Sequence, residues 1–327
     1  MYDVITIGSA VVDTFVDTGN RLFQDVHRGC VRVPFGSKIL IENVRVDTGG
    51  AGTNTATVFS RLGFKAACVS KAGCGTNSQR IINALKKEHV DTSLIICSPK
   101  GRTGFSIILD AKGHDRTILA FKGSNDDLRY NEVKKSKLKT KWFYIGSMLN
   151  ESYKTVEKLA DFAVRNNIKT AFNPSAYLAE KGVGFLGKLL RNIDVLILNK
   201  EEAGYIAGKS EDIAVLLKKL KKLIAGIVVI TDGKKGAYCY DGKYSYHIAA
   251  HHIKVVEATG AGDAFAASFV AGLMKGKSIE FCLQLGIANS ESVITHPGAK
   301  NKLLHWKEIV EMINKNPGKI TKQKQSH

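Results

Sequence analysis

The feature that most constrains this chain is a rhythm. Short runs of β-branched and apolar residues alternate with stretches of helical period. The runs are Val4–Ile7, Ala67–Ser70, Trp142–Ile145, Lys169–Asn173, Val195–Asn199 and Ile227–Thr231. Most are apolar at consecutive positions, as strands covered on both faces must be. The intervening amphipathic stretches include Ser78–His89, Glu151–Asn166 and Ile213–Leu223. Repetition of strand and helix predicts parallel βαβ units, and so an α/β fold with a mostly parallel, twisted sheet and helices on both faces.

Two stretches break the rhythm. Thr14–Val46 holds alternating pieces such as Ile39–Glu42 and Val44–Val46 without helical period. Gly104–Phe121 reads as a hairpin turning at Asp110-Ala111-Lys112-Gly113. Together they predict a small β-sheet lid, from about 14–48 and 101–122, inserted in one domain spanning 1–313. Extension of an edge of the main sheet is the alternative. A lid edge left exposed offers a place for a homodimer to pair. The basic tail, 314–327, with Lys319, Lys322 and Lys324, is expected to be flexible.

The apolar fraction of 44% and charged fraction of 24% are those of a globular chain, so disorder is not expected. The net charge of +18 favours anionic partners such as phosphates. Much of it lies on solvated helix faces, as at Lys218, Lys219, Lys221 and Lys222. No segment reaches the roughly 18 apolar residues of a membrane span. The N-terminus reads as a first core strand and not a secretion leader. The six cysteines, Cys30, Cys68, Cys74, Cys97, Cys239 and Cys282, form no CxxC pair. That pattern suggests reduced, buried thiols in the cytoplasm.

The strongest chemical signal is Ala258-Thr259-Gly260-Ala261-Gly262-Asp263, which opens a clean helix running to about Met274. A glycine-rich turn at a helix start exposes amides and the positive end of the dipole, which can hold a phosphoryl group. Asp263, in the first turn, is placed to take a proton from an attacking hydroxyl. A helix cap is the bland reading of the same residues. A second loop, Gly49-Gly50-Ala51-Gly52-Thr53-Asn54, lets backbone approach a ligand, and Asn54 can both donate to and accept from a hydroxyl. Asp13, just past the first strand, is a clamp for a polyol or a turn former. Asn199-Lys200-Glu201-Glu202 follows an apolar strand; it suits hydrated magnesium, or simply a helix start. Thr231-Asp232-Gly233-Lys234-Lys235-Gly236 is a tight turn suited to nucleotide contact, or simply a β-turn. Ala203–Ser210 nearly spells a P-loop, but Tyr205 and Ile206 fill it and it is set aside. The pair His251-His252 lacks a third ligand at a telling spacing and is left as surface.

In this order, these pieces resemble the ribokinase-like (PfkB) carbohydrate kinases over roughly residues 1 to 313. Glu257–Asp263 stands for that family's C-terminal signature, and Gly49–Asn54 for its N-terminal one. Asn199–Glu202 and Thr231–Gly236 stand for its intermediate motifs. The resemblance implies a three-layer ribokinase-like fold with a β lid and an ATP- and Mg2+-dependent transfer to a hydroxyl of a small sugar. It makes Asp263 the base and Gly260, Ala261 and Gly262 the anion hole. Asp13, Gly49, Gly50 and Asn54 would hold the acceptor. Asn199, Thr231, Gly233, Gly236 and Asn289 would lie near the nucleotide, with Glu202 near Mg2+ through water. Family members with aspartate at the position of Glu257 use it, with backbone around Val293–Gly298, to bind an activating K+. Here the residue is glutamate, and Val11 and Ala51 replace two ribose-binding side chains. A nucleoside kinase of the same fold is the alternative, and a nucleic-acid-binding protein, motivated by Lys134–Lys141, the more distant one. For fructose 6-phosphate, Arg32, Lys38 and Arg45 would have to supply the cation.

Overall fold

A computed structural model describes residues 1–19, 35–110, 117–296 and 298–325. Its strands are β1 Tyr2–Ile7, β2 Val11–Asp17, β3 Asn43–Gly49, β4 Ala66–Gly73, β5 Ile95–Ser98, β6 Gly104–Asp110, β7 Thr117–Phe121, β8 Thr140–Gly146, β9 Lys169–Asn173, β10 Val195–Asn199, β11 Ile227–Thr231, β12 Ala237–Tyr240, β13 Tyr244–Ile248 and β14 Ile320–Lys324. Its helices are α1 Ala51–Arg61, α2 Thr76–Lys87, α3 Asn150–Arg165, α4 Ala176–Ala179, α5 Gly182–Leu190, α6 Lys200–Ala207, α7 Ile213–Lys221, α8 Ala261–Met274, α9 Ile279–Ile294 and α10 Trp306–Lys315.

The main sheet runs β14-β13-β12-β11-β10-β9-β8-β1-β4-β5, and from β11 to β5 every pairing is parallel. The two-faced apolar strands explain the layers. Ile5, Ile7, Phe143, Ile145, Leu196 and Leu198 face a core shared with α3, α5, α6 and α7. Their chain neighbours Val4, Tyr144, Val195 and Ile197 face a second core with α1, α8, α9 and α10. The period of two in a strand divides one run between both layers. No described helix is long and apolar enough to cross a membrane.

The two interrupting stretches pair as a separate four-stranded sheet, β3-β2-β6-β7. Alternation puts Asp13, Arg45, Asp47 and Ser106 on one face, with Asp13 opposite both Asp47 and Ser106. Asp13 is therefore inside a lid strand and not at the end of a core strand, because β2 restarts only four residues after β1 stops. Residues 20–34, with Cys30 and Arg32, and 111–116, expected from the sequence to belong to the lid and to a hairpin turn, lie outside the described residues.

Two expectations need correcting. The tail is not frayed through Lys324. β14 adds antiparallel to β13, and Lys322 lies over the rings of Tyr244 and Tyr246 and pairs with Glu280 at 2.9 Å. The cysteines are not all thiols. The parallel pairing of β4 with β5 brings Cys74 and Cys97 to a Cα separation of 5.3 Å, and they are joined as a disulfide. Cys68, Cys239 and Cys282 are free and buried. The near P-loop, set aside on its sequence, is helical over Ala203–Ala207, the second half of α6.

Phe59 of α1 is fully buried and meets Phe64 and Tyr144 edge-on. Phe59→Ala should lower unfolding free energy by about 3–5 kcal/mol in a urea titration, through lost transfer energy and the cavity left behind.

Candidate active site

The site is assembled where α8 begins. Gly260 caps the helix at φ 80°, and a Cβ there would stand 2.5 Å from the carbonyl oxygen of Ala299, so only glycine fits. The Ala261 amide bonds to Ala258 at 3.3 Å and the Ala264 amide to Gly260 at 2.8 Å. The amides of Gly262 and Asp263 have no protein acceptor outside the helix among the described residues, and they are available to an anion. Of the predicted hole, Gly260 shapes the turn, Ala261 is spent within it, and Gly262 remains open.

Asp263 is held from across the chain. Nδ2 of Asn54 donates to its Oδ2 at 2.8 Å. The Gly49–Asn54 loop serves this placement and is not itself an anion cradle. The Ala51 amide donates to Ser9 Oγ, and the Gly52 amide to the Ser9 carbonyl. The Thr53 and Asn54 amides return to Gly50, so the donors at the start of α1 are already used. Gly49 passes so close to Asp13 that a Cβ would overlap its carboxylate.

Burial pushes the Asp263 carboxyl above its ordinary pKa; the Asn54 hydrogen bond and the Lys300 charge oppose this, and Asp13 adds to it. Asp13 is raised for the same leading reason, opposed by the Ser106 hydroxyl and Lys300. Lys300 is a site residue that the sequence did not single out. Its ammonium donates to the Thr48 carbonyl and, at 2.6 Å, to Thr48 Oγ1 on the lid. Burial lowers its pKa, while Asp47, Asp13, Glu88 and Asp263 hold it up. No local motif marks a lysine whose partners lie 252 residues away.

Two clefts lie beyond the hole and share Thr231 and Gly233. One, of about 370 Å³, is lined by Gly236, Ala258, Ala261, Gly262, Phe265 and Ile287. The other, of about 510 Å³, is lined by Asn199, Lys200, Glu201 and Tyr205. Asn199 and Thr231 are paired at the ends of adjacent strands. Asn199 and Glu202 form a capping box on α6, each side chain accepting from the other's amide, at 2.8 and 2.9 Å. Burial raises Glu202 to about 7, against the Asn199 amide and with help from Glu201 and Asp263. Its carboxylate is a hard oxygen donor of the kind magnesium takes, so the residues present fit that ion.

Two predicted placements fail. Asn289 is fully buried, with Nδ2 on Ser268 Oγ at 2.8 Å and Oδ1 taking the Leu304 amide at 3.0 Å. The cleft wall takes Ile287, Ser290, Glu291 and Ile294, one face of α9, and Asn289 points elsewhere. His251 is not simply surface. Its Nδ1 meets Glu291 at 2.8 Å, and it lines the same cleft with His252.

A model of the pfkB family carbohydrate kinases matches residues 3–306. A protein of Archaeoglobus fulgidus described as an uncharacterized sugar kinase is 30% identical over 247 residues, covering 75% of this chain and 97% of its own. The structure of a Methanocaldococcus jannaschii nucleoside kinase superposes with a TM-score of 0.79 at 23% identity, covering 96% of this chain and 99% of its own. An E. coli chain provisionally named ribokinase II, in complex with ATP and Mg2+, superposes at 0.81 and 20% identity, covering 97% and 100%.

The raised pKa of Asp263 has a consequence for stability. Because its folded value lies above the ordinary one, stability is lost as pH rises from the ordinary carboxylate value to the folded value, and the loss is complete above the latter. Asp263→Asn removes that cost. Its melting temperature should exceed wild type at pH 7 in calorimetry, with the gap closing as pH falls towards the ordinary carboxylate range. An unchanged or lower melting temperature at pH 7 would contradict the burial of a charged Asp263.

Proposed function

Because the chain belongs to the pfkB family of carbohydrate kinases, we propose that it moves the terminal phosphoryl group of ATP to a hydroxyl of an uncharged sugar or nucleoside. One observation carries the reading: the Asp263 carboxylate stands beside two open amides, at the mouth of a cleft and facing a lid that presents Asp13. The acceptor hydroxyl attacks phosphorus, its proton passes to Asp263, and the O–P bond to the nucleotide breaks. The Gly262 and Asp263 amides and the positive end of α8 take up charge on the transferring group. Asn54 keeps the carboxylate aimed, and Asp13 accepts hydroxyl hydrogens of the acceptor. Bound Mg2+ would neutralise phosphate charge, held near Glu202 and Asn199 through water. The cleft with Thr231, Gly233 and Gly236 would take the nucleotide. The ATP and Mg2+ carried by the E. coli neighbour support these two as co-substrate and ion.

Charge favours an uncharged acceptor. Asp13, Asp47, Asp263 and Glu257 face Arg45 and Lys300. Arg45 is bound to Glu257, and Lys300 to Thr48. Among the described residues of this cluster both cations are already engaged, and the four acids repel a substrate phosphate. The M. jannaschii relative supports keeping nucleosides in the class.

The outer face of the lid completes the reading as a dimer surface. Val44, Val46, Phe105, Leu119 and Phe121 share that face and are exposed. A patch of this kind calls for a partner, and a second lid is apolar in the same way.

Two outcomes follow. Asp263→Asn should keep ATP affinity, measured by calorimetry, and lose roughly 10²–10⁴-fold in turnover, measured as ADP release, with neutral sugars and nucleosides exceeding fructose 6-phosphate in wild type. Full turnover in the variant removes Asp263 from the base role. Leu119→Lys should shift sedimentation from dimer to monomer; a wild type that sediments as a monomer at every concentration ends the lid-pairing idea.

A further inference from the structure

The loop entering α8 is bolted to the lid by an ion pair that the reaction as described does not use. Arg45, on the inner face of β3, donates from Nη2 to Glu257 Oε2 at 3.1 Å. The same oxygen accepts the Gly298 amide at 2.8 Å. The guanidinium lies 3.8 Å from the centre of the Phe15 ring, and its Nη1 is 3.7 Å from Asp47. Glu257 precedes the Gly260 turn by three residues. Its backbone amide and that of Val256 both bond to the Ile294 carbonyl, so the ends of two loops meet at this carboxylate.

This junction is where the family resemblance places a monovalent cation, and the residues do not fit one. One carboxylate oxygen already bears two donors. The other, Oε1, is enclosed by protein atoms with no hydrogen-bond partner. A second cation there would meet the guanidinium already bound to the same carboxylate, and like charges at that range repel. A positive charge is nevertheless present, delivered by the planar fork of Arg45 and backed by an aromatic ring, an arrangement arginine suits and lysine does not.

We propose that Arg45 is a built-in counter-cation: it holds Glu257, and through it the Gly298 and Gly260 loops, in the geometry of the anion hole, and it makes the protein independent of K+. It is a positioning residue, since it touches neither reacting atom. It also ties formation of the hole to the lid, because β3 carries both Arg45 and the Thr48 that receives Lys300. The proposal rests on the phosphotransfer reading for its kinetic arm only.

The test exchanges the monovalent cation. Rates and melting temperatures are measured at equal ionic strength in KCl and in tetramethylammonium chloride, for wild type, Arg45→Lys and Arg45→Ala. Wild type should be indifferent, within about twofold in turnover, in both salts. Arg45→Ala should lose about tenfold in kcat with little change in KM for ATP, as expected when hole geometry and not nucleotide binding is disturbed. K+ or millimolar guanidinium should restore part of that loss and raise that variant's melting temperature specifically. Arg45→Lys should fall between the two. A wild type stimulated severalfold by K+, or an Arg45→Ala enzyme with full turnover in tetramethylammonium, overturns the proposal. Should Arg45→Ala fail to fold, the wild-type comparison and Arg45→Lys decide alone. If no acceptor is phosphorylated at all, the function reading fails, and the melting temperatures still judge the counter-cation.

Discussion

A hydrogen bond of 2.8 Å between Asn54 and Asp263 joins the first helix of the chain to its eighth, across 209 residues. Everything chemical in the molecule is arranged around it. α1 is packed on the strand ends through Ser9, which takes two of its first amides. α8 is buried along Ala264–Gly272 and cannot slide. The pair of helices therefore fixes one carboxylate to one spot at the C-terminal edge of the parallel sheet, where open α/β sheets bind ligands. A carboxylate at that depth costs energy to ionise. A single good donor from Asn54 and the charge of Lys300 offset part of that cost and leave a carboxylate that holds a proton more tightly than an exposed aspartate.

The lid contributes charge as well as cover. Its inner face brings Asp13 and Asp47 towards Asp263, and like charges at close range would open it. Two cations prevent this in different ways. Lys300 stands among the acids with its ammonium on Thr48, and Arg45 bridges to Glu257 outside the acceptor position. Their removal would expose an acidic cluster and unfasten the lid from the α8 loop together. The seating of the small sheet and the placement of the Asp263 carboxylate are thus carried by the same few contacts.

Much of this was legible in the sequence. The apolar runs located six of the parallel strands, because a strand covered on both faces needs no partner information to be recognised. Gly260–Asp263 announced itself, since a left-handed cap and a helix start are local events. Asp13 was found as a residue but misplaced, because nothing local shows that β1 stops at Ile7 and a lid strand begins at Val11. Lys300 and the partner of Arg45 were not legible at all: their contacts span 252 and 212 residues, and lysine and arginine are read as solvated by default. Asn289 was assigned to the nucleotide from resemblance. About half a turn of helical phase from Ile287, which lines the cleft, turns it into the core instead. β14 was missed because four of its five residues are exposed, so its pairing leaves almost no apolar pattern.

The most direct measurement is a crystal structure with a non-hydrolysable ATP analogue, Mg2+ and an acceptor. The terminal phosphate should lie about 3 Å from the amides of Gly262 and Asp263, with one acceptor hydroxyl on the Asp263 carboxylate. A terminal phosphate seated instead on Lys200 or Lys209, with Asp263 facing only protein, would contradict the account at its centre.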